Sequence, residues 1–189
     1  MQSDNKFKMV MEYLEIPDLN HHTGAKQICY LTYDPELTIE VKRNVASWLA
    51  LAKGYDFNCT VLSMASVIND FFRNNSRRNN WSIPNITSSF EDIIEFYKVD
   101  LGSMIVDNMI IEKAILKEQQ KIKFFSKPLL IITDLEAIHP FTRFGPIEQK
   151  IYTEVEIPIV ILYPGSLSGS SLEFFGFYPP DGNYRSKHF

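Results

Sequence analysis

Apolar positions along the chain follow two different periods, and the alternation between them predicts the elements. Up to Glu15, the residues Phe7, Val10, Met11 and Leu14 fall three and four apart, which predicts a short amphipathic helix ended by Ile16-Pro17-Asp18. After the polar link LNHHTGAKQ, the run ICYLTY (28 to 33) is an unbroken block of β-forming residues and predicts a buried strand. Asp34-Pro35 suits the start of a helix, the aspartate as cap and the proline in the first turn. Leu37, Val41, Val45, Trp48, Leu49 and Ala52 then share one face and Gly54 stops the pattern, predicting a helix from about Glu36 to Lys53. FNCTVLS (57 to 63) predicts a second buried strand, continued by helix over MASVINDFF. Strand, crossover and strand make a right-handed parallel βαβ unit.

The stretch RNNSRRNNWS (73 to 82) breaks both periods and predicts a loop. Helix is expected again from Thr87 through SSFEDIIEFYKV, with Glu91 and Asp92 in its first turns, and once more from about Ser103 to Ile122. PLLIITD (128 to 134) and IPIVILY (157 to 163) predict a third and fourth buried strand, separated by a loop with a short helix near 146 to 153. Leu172 to Tyr178 predicts a fifth strand, close enough to the fourth to form an antiparallel hairpin at the sheet's edge. The fold expected is therefore α/β: a three-layer sandwich with a mostly parallel central sheet and a C-terminal antiparallel hairpin edge. It is expected as a single domain over 1–189, divided into an N-terminal helix and linker (1–27), a βα core (28–163) and a C-terminal hairpin and tail (164–189).

Composition narrows the function more than the fold. A formal charge of −4 gives no global pull toward nucleic acid, so any such contact must come from a local patch. No apolar run approaches the roughly 18 residues a membrane span requires. The N-terminal stretch carries acids within its apolar positions and no small-residue cleavage site, so a cytoplasmic location is expected. Cys29 and Cys59 sit in apolar runs and read as reduced, packed thiols.

In a mostly parallel sheet, function belongs at the carboxyl ends of the strands. Those ends carry Asp34, Ser63, Asp134 with Glu136, and Tyr163-Pro164-Gly165-Ser166, and Arg143 follows close behind the third strand. Asp134 after LLIIT resembles the acid that closes a Walker B strand, but neither TYDPELTIEV nor LSMASVINDF supplies the glycine-rich cradle and lysine that phosphate binding needs. Asp34 with Glu40-Val41-Lys42 has the residue types of a nuclease metal site, yet the triplet lies within a helical pattern. His21-His22 point apart, and Gly169-Ser170-Ser171 is not a nucleophile elbow. No metal site, cofactor or catalytic group is expected, and the balance leans away from an enzyme. The alternative is a degenerate nucleotide-binding or nucleic-acid-processing enzyme built on Asp34, Asp134 and Glu136. Arg73, Arg77 and Arg78, set among asparagines beside Trp81, suit phosphate or an acidic partner.

The end of the chain crowds Phe174, Phe175, Phe177, Tyr178 and Tyr184 around Pro-Pro-Asp-Gly. Alternation predicts Leu172 and Phe174, with Phe177, as an inward set, Gly176 as a bulge or close-approach point and Asp181-Gly182 as the turn. Phe175, Tyr178, Tyr184 and Arg185 would then face outward as an anchor patch for a partner, since Tyr, Phe and Arg dominate protein interfaces.

Three stretches resemble the BrxB family, a component of the bacteriophage-exclusion (BREX) defence systems of bacteria: YLTYDPELTIEVKRNVASWL, LLIITDLEAIHPFTRFGPIEQKI and IVILYPGSLSGSSLEFFGFYPPDGNYR. The resemblance runs from about Ile28 to Arg185 and is most specific in the last stretch. It implies a non-enzymatic adaptor subunit that binds other BREX proteins, above all the PglZ-type phosphatase-fold component, with an indirect association with DNA left open. The chain departs from the family in having Asp134 where a glycine is frequent and SKHF after the final Tyr-Arg.

Overall fold

The computed structural model describes residues 2–16, 27–78, 89–139, 141–168, 171–176 and 186–189. Helix α1 (Gln2–Leu14) leads to strand β1 (Ile28–Tyr33), a 3-10 turn and helix α2 (Thr38–Gly54). Strand β2 (Asn58–Ser63) and helices α3 (Met64–Asn74), α4 (Phe90–Asp107) and α5 (Ile110–Ile122) follow. Then come β3 (Pro128–Thr133), α6 (Phe144–Ile151), β4 (Ile159–Ser168), β5 (Ser171–Phe174) and β6 (Lys187–His188).

Among the described residues six strands form one sheet in the order β2-β3-β4-β1-β6, with β5 paired to β4. Every pairing is parallel except β4 with β5. Because successive side chains in a strand alternate sides, the sheet feeds two cores. Cys29, Leu31 and Tyr33 join Leu129, Ile131, Val160 and Leu162 under α1 and α2, where Phe7 stacks on Trp48 with ring centroids 5.0 Å apart. Ile28 and Tyr30 join Leu130, Ile132, Ile161 and Tyr163 under α3, α5 and α6. The three-layer sandwich read from the sequence is thus the fold.

Several local expectations are corrected. β2 is parallel to β1 but separated from it by two strands, β3 and β4, so the first crossover joins strands that are not neighbours. β2 is an edge strand and half-exposed, with Val61 37% exposed, since its outer side has no neighbour among the described residues. The apolar run that read as buried is covered on its inner side alone. The helix expected from Ser103 to Ile122 is broken at Asn108-Met109, where Met109 takes φ 53 and separates α4 from α5. α4 instead begins at Phe90 behind a capping box formed by Ser89 and Asp92. The fifth strand stops at Phe174, because Phe175 and Gly176 both adopt positive φ (56 and 72). Gly176 is therefore a turn residue with open space around it, not a close-approach point. Residues beyond it, among them Phe177, Tyr178, Asp181-Gly182, Tyr184 and Arg185, lie outside the described residues, as do Trp81 and His21-His22.

The antiparallel hairpin is present, but it hangs off the carboxyl end of the central strand β4 and not along the lateral edge. β4 pairs with β1 up to Tyr33↔Pro164, and its continuation from Gly165 to Ser168 pairs with β5 beyond the parallel sheet. Pro164 has no N–H to offer, and β4 has already left β3, whose register ends at Ile132↔Ile161. The sequence pattern did not mark the last piece, β6, which lies parallel to β1 in the register Cys29↔Lys187 and Tyr30↔His188.

Candidate functional site

The carboxyl ends of the strands carry three separate groups. In the first, Asp134 follows β3 with a left-handed backbone (φ 61), and its carboxylate accepts from Ser63 Oγ at 2.5 Å and Thr133 Oγ1 at 3.0 Å. Lys42, on the second turn of α2, pairs with Asp134 Oδ1 at 2.7 Å and also with Glu136. Burial alone would raise the Asp134 carboxyl, but the hydrogen bonds from Lys42, Ser63 and Thr133 outweigh it and hold it below the ordinary carboxylate range. The same pair works in reverse on Lys42, whose ammonium is held above its ordinary value against the pull of burial. Burial, reinforced by the charge of Glu136, pushes the Tyr33 hydroxyl up. Asp134 and Glu136 are thus brought together by a lysine that the sequence pattern left as an ordinary mid-helix residue. The signal was its place, one turn after a helix start that sits at the end of β1.

Asp34 does not join them. Its Oδ1 accepts from Glu36 N at 3.0 Å and caps the 3-10 turn Pro35–Leu37 rather than the long helix expected from Glu36, which begins at Thr38 with no side-chain cap. Arg143 is in a third group, with its Nη1 3.3 Å from His139 Nδ1 at the N-terminus of α6. His139 is buried and stacks face to face on Phe174, with the ring planes 5° apart. Burial, and then the Arg143 guanidinium, pull the His139 imidazole down to about 3, so it is neutral. Among the described residues no group of three or more His, Cys, Asp or Glu is placed to hold a metal ion. Burial lifts the Cys29 thiol to about 12 and the Cys59 thiol to about 11, so both are protonated and unreactive.

The hairpin is fixed by close backbone approach. A Cβ at Gly165 would lie 2.0 Å from the Glu173 carbonyl oxygen and 2.9 Å from the Tyr163 ring. Leu172 and Phe174 turn inward and are buried, whereas Leu167 is 48% exposed on the outer side and Phe175 is half-buried at the end of β5. Gly165→Ala is expected to force β5 off β4 and to cost about 1–3 kcal/mol, the usual scale of overpacking. A fall in denaturation midpoint with an unchanged denaturant slope checks it; an unaltered midpoint would mean the hairpin is not held as described.

Between the hairpin, the 3-10 turn, α1 and β6 lies an open cavity of about 800 Å3, lined in part by Lys6, Asp34, Glu36, Ser166, Phe175 and Phe189. Lys6 Nζ is already spent in its wall, donating to Thr32 O (2.8 Å), Thr32 Oγ1 (3.0 Å) and Phe189 O (3.2 Å). Glu148, buried on α6, ties the last segment down by accepting from Tyr30 OH at 2.6 Å and Ser186 Oγ at 2.5 Å. Arg73, Arg77 and Arg78 stand well apart from all of this at the far end of α3; all three are exposed, and Arg77 pairs with Asp100 at 3.3 Å.

A family model described as BREX protein BrxB matches residues 86–189. The chain belongs to the BrxB family. It is accordingly a component of the BREX phage-defence system. No curated protein and no solved structure matches the chain. The matched range takes in two of the three BrxB-like stretches, and the one around Tyr33-Asp34-Pro35 lies ahead of it. Within that range the structure gives the Tyr-Pro-Gly stretch a physical meaning. Tyr163 closes one core, Pro164 ends the parallel pairing, and Gly165 admits β5. The stretch after β3 supplies His139, whose ring supports Phe174 from below, so the two BrxB-like segments meet in one packing unit.

Proposed function

We propose that the chain is a non-enzymatic adaptor of the BREX assembly, working in the cytoplasm and docking a protein partner through the β4–β5 hairpin and the aromatic segment after it. The PglZ-type phosphatase-fold component is the partner the family resemblance implies, and DNA is met indirectly through the complex. The observation that carries this reading is the hairpin itself. It extends past the parallel sheet on a buried Phe174 anchor and offers Leu167 at its surface, with half-buried Phe175 at its end. An apolar projection of this kind suits an interface, where a few well-supported aromatic and aliphatic side chains dominate binding.

The strand-end carboxylates favour the adaptor over the degenerate enzyme. Lys42 sits against both Asp134 and Glu136, in the place a divalent cation or a substrate proton would need. The exposed Arg73, Arg77 and Arg78 add a basic corner suited to an acidic partner surface or phosphate.

Co-purification with the products of neighbouring genes tests the reading. Wild-type protein should retain the PglZ-type component. Leu167→Glu, which places a charge on an exposed hairpin position, should lower its recovery at least tenfold while the melting temperature holds. Tyr184→Ala/Arg185→Ala is expected to act the same way. Full retention by folded Leu167→Glu and by the Tyr184/Arg185 variant would sink the proposed surface.

A further inference from the structure

The cavity beside the hairpin carries a chemistry of its own. It lies outside the carboxyl ends of β1 and β4, where open parallel sheets place their ligands. At about 800 Å3 it falls within the size of small-ligand sites. Its charges decide which ligand fits. Asp34 and Glu36 are exposed on its rim, and neither is ion-paired with any cation in the described structure. The cation in the lining, Lys6, has its three donors satisfied by Thr32 and Phe189 oxygens, so it has none left for a phosphate or carboxylate. Among the described lining residues, two carboxylates against one spent ammonium favour a cation over an anion such as a nucleotide. The remaining described walls include Phe175 and Phe189, both half-buried, and the hydroxyl-bearing Ser166.

A flat cation with apolar faces matches that set. Guanidinium lies against aromatic rings, and its fork of N–H donors suits a carboxylate, whereas an ammonium offers a point charge without the plane. We propose that this cavity receives an arginine side chain presented by the protein partner that docks on the hairpin. The inference rests on the adaptor reading and adds to it the residue class the partner must contribute. Asp34 and Glu36 pair with the guanidinium, and Phe175 and Phe189 flank its stem.

The test uses the full chain, with N-acetyl-arginine amide as the probe and N-acetyl-citrulline amide as its neutral isostere, followed by amide-resolved NMR. The arginine amide should shift the backbone signals of Ser166, Gly176 and Phe189, and the citrulline amide should leave them in place. Asp34→Asn with Glu36→Gln keeps the cap, since asparagine caps as well as aspartate, and should weaken arginine-amide binding at least tenfold. The same double variant should lose most of the partner in co-purification. Equal shifts from the citrulline amide, or stronger shifts from AMP, would overturn the guanidinium assignment. If agmatine binds as the amide does while the double variant retains its partner fully, the source is a free cation and the arginine-of-partner proposal fails. Partner retention lost in Leu167→Glu but untouched in the double variant would fail this inference and leave the adaptor reading standing.

Discussion

Phe174→Ala should lower stability by about 3–5 kcal/mol, the range for deleting a well-packed aromatic side chain. The ring is 2% exposed, stacks on His139 and meets Tyr163 edge-on with centroids 5.3 Å apart. Its removal leaves a void among groups that cannot all close in, because His139 is fixed by the turn after β3 and Tyr163 by the sheet. For a chain of 189 residues the loss corresponds to a fall in melting temperature of roughly 6–20 °C. Differential scanning calorimetry measures it directly. A loss below about 1 kcal/mol would show that the hairpin folds independently of the core, since surface changes outside a cooperative unit have effects of that size.

The second large effect is a dependence on pH. His139 is neutral in the fold because burial and Arg143 hold its imidazole at about 3, far below its ordinary 6.5. Below pH 6.5 the unfolded chain takes up a proton that the folded chain refuses. Stability is then complete above about pH 6.5 and falls as the pH drops toward 3, at up to about 1.4 kcal/mol per pH unit. From pH 7 to pH 5 the loss should be about 2 kcal/mol, read from denaturant midpoints at each pH. His139→Phe keeps a flat ring against Phe174 and removes the titration, so its stability should change by that much less across the same interval. An unchanged slope in the variant would assign the pH dependence to other groups. Asp134 acts in the same direction but lower down. Its folded carboxyl lies below the ordinary 3.8, so its contribution is present above that value and is lost as the pH falls through the folded one.

The interface reading and the stability readings meet in one packing unit. His139 and Phe174 hold the hairpin against the sheet from inside, with half-buried Phe175 packed on the Phe174 ring, while Leu167 is exposed on its other side. Changes to the inner pair act through folding, whereas on the proposed adaptor reading a change at Leu167 acts through binding, so calorimetry beside co-purification separates them.

The sequence determined most of the elements and the layering. Unbroken apolar runs marked β1, β3 and β4 because strands covered on both faces need no polar side. Three-to-four spacing marked α1 and α2, and Asp34 announced its cap through the proline after it. Those are local or periodic properties, and one residue's neighbours in the chain suffice to read them. Which strands pair is not local. FNCTVLS reads as buried as PLLIIT does, yet β2 has the edge and β3 an inner place, because strand order follows from how the helices between them fill the two faces. Two of the strand-end groups join residues from different segments: Lys42 meets Asp134 and Glu136, with Ser63 beside them, and His139 meets Phe174. The sequence placed Ser63, Asp134 and Glu136 at strand ends, but it gave no sign that Lys42 would join them or that His139 would meet Phe174. Only the tertiary structure brings them within hydrogen-bonding or stacking distance, where burial and charge give them the properties they have.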